Sequence, residues 1–142
     1  MVYYTTSKGH KEMNPKTYQE LAHEFAQYGQ NRMYPSLGLC EEAGEVAGKI
    51  AKFIRKHDGI EPTSSENAIS MMLESGQVNA DIKDDIIKFK KDVSKELGDV
   101  CWMIAELCTA FGLDLEEVME ENISKLQDRK NRGVIVGEGD NR

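Results

Sequence analysis

The chain has 142 residues, 39% of them hydrophobic and 30% charged, with a formal net charge of −7. That length matches one ordinary domain with a real core, and the composition excludes a disordered chain. The negative charge repels a polyanion such as DNA, which argues against a nucleic-acid partner but not against a nucleotide held through metal ions.

No apolar run approaches bilayer length, and nothing at the start resembles a signal peptide, so a cytoplasmic protein with no membrane partner is expected. The three cysteines, Cys40, Cys101 and Cys108, fall on apolar faces of predicted helices and read as buried free thiols in a reducing compartment. His10, His23 and His57 show no zinc-ligand spacing with them.

Residues 1–13 read as a loose arm. Asn14 is an N-cap and Pro15 opens a first helix to about Gln30, with Tyr18, Leu21, Ala22 and Phe25 as its apolar stripe. A second helix starts at Pro35-Ser36 and runs to about His57, on the spacing of Leu39, Ala43, Val46, Ile50, Phe53 and Ile54. Asp58-Gly59 and Pro62 end it in a polar loop. A short helix is expected over residues 66–74, and a long one from Ala80 or Asp81 to Phe111, stopped by Gly112. Asp114 caps a last helix to about Arg129 or Lys130, with Leu115, Val118, Met119, Ile123 and Leu126 on its core side. Residues 131–142 read as a tail. The pattern predicts an all-α bundle of four to five helices and no strands.

Within the second helix, "LCEEAGEVAGKI" places Glu42 and Glu45 one turn apart beside the apolar stripe, with Glu41 turned further toward solvent. The like charges repel unless a cation lies between them. Lys49 offers one such cation, as a local salt bridge. In the long helix "KELGDV" repeats the device with Glu96 and Asp99. If the two helices face one another, four carboxylates converge, an oxygen donor set suited to Mg²⁺ or Mn²⁺. Spacing alone favours a solvated acidic face, because such pairs arise by chance among 25 acidic residues in a mostly helical chain. In the last helix Asn122, Lys125 and Arg129 share a flank. They read either as a basic edge near a helix C-terminus or as a phosphate clamp.

"EEAGE", then "ELGD", then N-x-x-K-x-x-x-R, together with "TYQELA" in the first helix, resembles the MazG-like all-α nucleoside triphosphate pyrophosphohydrolases over residues 14–133. The resemblance implies one MazG-like domain over 1–142 that cleaves a nucleoside triphosphate between its α and β phosphates. The implied metal ligands for Mg²⁺, or Mn²⁺ in its place, are Glu42, Glu45, Glu96 and Asp99. Glu41 is implied to activate the attacking water, and Asn122, Lys125 and Arg129 to contact phosphates. A purine deoxynucleotide substrate and a homodimer or homotetramer are also expected.

Two departures from the family pattern stand out. The segment 58–90 is an insertion relative to short family members, read as a lid, an oligomer contact or a decoration. Met103 stands where the family often has an aromatic residue, and Trp102 reads as packing at a subunit contact. Tyr34 is then the candidate for base stacking, against an ordinary surface tyrosine. The rival readings are a dUTPase or a phosphoribosyl-ATP pyrophosphohydrolase of the same superfamily, a di-iron carboxylate bundle, and a non-enzymatic helical interaction module. The di-iron reading is poorly served, because the only ExxH is Glu20 to His23.

Overall fold

The computed structural model describes residues 3–6, 9–29, 31–58, 60–62, 65–78 and 81–136. Its elements are β1 (Tyr3–Thr6), β2 (Gly9–Glu12), α1 (Pro15–Glu24), α2 (Tyr34–Lys56), α3 (Glu66–Glu74), α4 (Asp81–Phe111) and α5 (Leu115–Asn131). The fold class is all-α, as the pattern predicts. Among the described residues, no helix is long and apolar enough to cross a membrane. The chain divides into two compact units, one of Met1–Arg32 with Ile104–Arg142, the other of Met33–Met103.

The unit Met33–Met103 holds α2, α3 and most of α4. Pro35 sits in the first turn of α2, where its missing N–H costs nothing, and Arg55 and Lys56 close the helix where its dipole favours cations. The side chain of Ser65 caps α3 by accepting from the Ala68 amide at 3.2 Å. Phe53, Ile69, Ile82 and Ile86 form the buried centre, with Ile60, Leu73, Val78 and Phe89 packed around them. Each fully buried apolar side chain of this size contributes about 1.5–3 kcal/mol. Most of that centre comes from residues 60–89, so the segment read as a lid, contact or decoration supplies core to its own unit.

In the other unit, Asn14 Oδ1 accepts from the Thr17 amide at 2.8 Å and so caps α1. The α4–α5 connection is a Schellman turn: Leu113 N donates to Cys108 O at 2.8 Å and Gly112 N to Thr109 O at 3.2 Å. Gly112 takes φ 69° there, which a residue with a Cβ adopts only with strain. Gln19 braces this turn from α1. Its amide nitrogen donates to Leu113 O at 2.9 Å, and its oxygen accepts from Leu115 N at 2.8 Å. Asp114 caps α5 and pairs with Lys16 at 3.1 Å; that bond holds its carboxyl below the ordinary range.

Several expectations need correction. The arm contains an antiparallel hairpin, β1 with β2, in which Tyr3 pairs with Glu12 and Thr6 with Gly9. The run Tyr3-Tyr4-Thr5-Thr6 has the composition of a strand. α1 ends at Glu24, before the expected Gln30, because Phe25 and Ala26 close it with bonds back three residues and Tyr28 then turns to donate to Glu106. Cys40 and Cys101 are exposed in this chain; Cys108 is buried, and burial pushes its thiol up. The apolar stripe of α5 is covered only at its first turn. Leu115 is buried, whereas Val118, Met119, Ile123 and Leu126 are exposed. The end of the expected tail, residues 137–142, lies outside the described residues.

Candidate metal centre

Both acid pairs belong to the unit Met33–Met103. α2 carries Glu41, Glu42 and Glu45, and α4 carries Glu96 and Asp99. One carboxylate oxygen each from Glu42, Glu96 and Asp99 can be chosen so that all three lie within 4.8 Å of one another. Glu42 and Glu96 are half-buried and Asp99 is exposed. Glu45 lies one turn along from Glu42, is exposed, and is not among these three; Glu41 is also exposed.

The helices come close on the N-terminal side of this triad in α2. A Cβ at Gly38 would stand 2.6 Å from Met103 Sδ. Gly38 is one turn before Glu42, and Met103 is one turn after Asp99. Both are buried. The missing side chain therefore lets α2 approach α4 where the carboxylates must meet, and Met103 fills the space beside it. Sequence reasoning did not single out Gly38; its signal is a glycine inside a strongly periodic helix.

The electrostatics are those of an undercompensated anion cluster. Burial holds the Glu42 carboxyl above its ordinary range, and the charges of Asp99, Glu45, Glu41 and Glu96 push it further the same way. Lys49 forms its ion pair with Glu96 across the helices at 2.8 Å, and that bond raises the lysine's own pKa. A helical wheel places Lys49 near Glu42 and Glu45 but cannot see the neighbouring helix. Glu42 and Asp99 have no ion pair with a basic side chain among the described residues. An all-oxygen set with unspent negative charge fits a hard divalent cation.

The remaining candidates are not members of this cluster. Asn122 and Lys125 are exposed on α5, in the other unit, and Arg129 is buried there at 5% exposure. Tyr34 is exposed at the start of α2, and Trp102 is half-buried on α4.

The MazG nucleotide pyrophosphohydrolase domain family matches residues 30–134. The match takes in all five carboxylates and the α5 candidates, and leaves out "TYQELA" of α1. A protein of Mycobacterium phage L5, named Gene 37 protein, is 38% identical over 109 residues, which cover 77% of this chain and 75% of that protein. No solved structure matches the chain significantly. The family match spans well over half of the sequence, and its one acidic cluster of metal-site geometry among the described residues falls inside it: the chain belongs to the MazG nucleotide pyrophosphohydrolase family.

Proposed function

We propose that the protein is a Mg²⁺-dependent nucleoside triphosphate pyrophosphohydrolase that releases nucleoside monophosphate and pyrophosphate, with Mn²⁺ able to substitute. The observation that carries this reading is the convergence of Glu42, Glu96 and Asp99 oxygens within 4.8 Å, inside a family match of that activity.

Glu42, Glu96 and Asp99 would hold the cation, with Glu45 one turn along as a further ligand. When bound, the cation neutralises phosphate charge and makes water a better nucleophile at neutral pH. Glu41, next to the ligand set on α2, takes the proton of the attacking water. Asn122 and Lys125 present exposed donors that suit phosphate oxygens. Arg129 is assigned to phosphate on the resemblance alone, since its burial also serves its own unit. Charge developing on the leaving pyrophosphate is stabilised by such cationic donors.

The preferred substrate is a purine deoxynucleoside triphosphate, and the working form is a homodimer or homotetramer in the cytoplasm. The exposed Val118, Met119, Ile123 and Leu126 of α5 support assembly, because a monomer gains nothing from exposing such a stripe. A panel of ribo- and deoxyribonucleoside triphosphates with Mg²⁺, read by chromatography, tests the activity. Monophosphate with pyrophosphate is the expected product pair; diphosphate with orthophosphate would displace the assigned cleavage position. Selectivity for dUTP or for phosphoribosyl-ATP would redirect the substrate assignment within the superfamily.

A further inference from the structure

Past the carboxylates, toward the C-terminal end of α2, α2 and α4 border an open groove of about 300 Å³. Lys49, Lys52 and Lys56 line it from α2, and Lys88 from α4. They follow helical spacing on one face of α2, and the helical rise carries them over about 10 Å from Lys49 to Lys56. Phe53 and Phe89 form an apolar wall, their ring centroids 4.9 Å apart.

The lysines are not all spent on local pairs. Lys56 bonds to Asp85 at 2.5 Å, and Lys49 bonds to Glu96 at 2.8 Å. Lys52 and Lys88 are exposed and form no ion pair among the described residues. Asp85 and Asp92 are the carboxylates in the lining, against four lysines. In a chain of net charge −7, this is a local excess of positive charge on a low-dielectric wall, an arrangement that concentrates anions. Lys49 joins the groove to the metal centre, since it lines the one and bonds to a carboxylate of the other.

We infer that this groove seats the outer phosphates of the substrate, with Lys52 and Lys88 donating to them and Lys49 passing from Glu96 to a phosphate oxygen when a cation takes its place. The assignment rests on the reading of Glu42, Glu96 and Asp99 as cation ligands. It adds a phosphate-binding set on α2 and on the stretch of α4 within the same unit, apart from Asn122, Lys125 and Arg129. The ligand chemistry is a linear polyphosphate, bound through point charges and not through the bidentate geometry that arginine offers.

The test is calorimetric titration of the full chain with sodium tripolyphosphate, with and without Mn²⁺. The double variant Lys52→Ala/Lys88→Ala is compared with Lys90→Ala/Lys91→Ala, which removes the same charge from exposed positions of α4 outside the groove. The groove variant is expected to lose about tenfold or more in affinity, the scale of hydrogen bonds to charged groups, and the control less than about threefold. Equal losses in the two variants, or none in either, would overturn the assignment. Mn²⁺ titration of the unaltered protein separates the two levels. Failure to bind Mn²⁺ would remove the metal reading, while the two variants compared without metal still decide the groove.

Discussion

Two acids of this chain sit among other side chains in opposite ways. Glu106, in the unit of α1 and α5, is fully buried, yet its Oε2 accepts from the Tyr28 hydroxyl and lies 3.1 Å from His23 Nδ1. Glu42 is only half-buried, but its neighbours are four further acids and its carboxyl is held up by burial and by them. One oxygen of Glu106 is given donors, while its buried Oε1 meets none among the described residues. An acid surrounded by its own kind is left for a cation from outside. Glu106 thus reads as architecture, and Glu42 as part of a site.

That contrast breaks most visibly in activity. Glu42→Gln, Glu96→Gln and Asp99→Asn should each lower kcat/KM by roughly 100-fold or more, since each would remove a ligand of the proposed cation, whose charge stabilisation is worth several kcal/mol. Their circular dichroism should stay that of the parent. Loss of helix together with activity would make these acids structural partners and erase the distinction from Glu106.

Glu106→Ala should do the reverse. It removes a buried acid together with its bonds to Tyr28 and His23, at a cost of about 3 kcal/mol read by urea denaturation. Its Mn²⁺ affinity should not change. A silent denaturation curve would mean that Glu106 is not the tether of Tyr28 and His23 to α4.

A smaller effect is expected from Gly38→Ala. The new methyl meets Met103 Sδ at 2.6 Å in a buried contact, an overpacking that costs about 1–3 kcal/mol. Because the contact lies one turn from both Glu42 and Asp99, Mn²⁺ affinity should fall with stability. Unchanged affinity in a destabilised variant would show that the helix approach at Gly38 does not set the carboxylate spacing.

The smallest effect is on the metal-free protein. A carboxyl whose folded pKa is raised contributes stability below its unfolded pKa and loses it as pH rises through the folded value. Ionised Glu42 is therefore a liability at neutral pH, and Glu42→Gln should raise the metal-free Tm slightly near pH 7. The gain should vanish below the carboxylate range, where Glu42 is protonated anyway. Thermal melts at the two pH values decide it; a Tm lowered at pH 7 would mean that Glu42 is a paired, stabilising acid.

What the sequence made legible follows from what is local. α2, α3, α4 and α5 lie within a residue or two of their expected bounds, because Ser65, Gly112, Asp114 and Pro35 act on the adjacent backbone. The acid pairs were readable for the same reason, being one turn apart on their own helices. What went unread depends on neighbours. Lys49 chooses Glu96 over Glu42 and Glu45, and α1 stops early so that Tyr28 can reach Glu106. The value of Gly38 appears only once Met103 is opposite it. Glu106 did leave a trace, as a lone acid inside "WMIAELCTAF". Lys49, Lys52 and Lys56 left one too, in their helical spacing. The exposed stripe of α5 looked like core because periodicity reports which face is apolar, not what covers it.

The central claim is that Glu42, Glu96 and Asp99 together hold a divalent cation. Calorimetric titration of Mn²⁺ into the nucleotide-free protein, beside the same titration of Glu42→Gln, tests it most directly. One binding event per site is expected in the parent, weakened by about tenfold or more in the variant through the loss of a charged ligand. Equal binding by both proteins, or none by the parent, would contradict it.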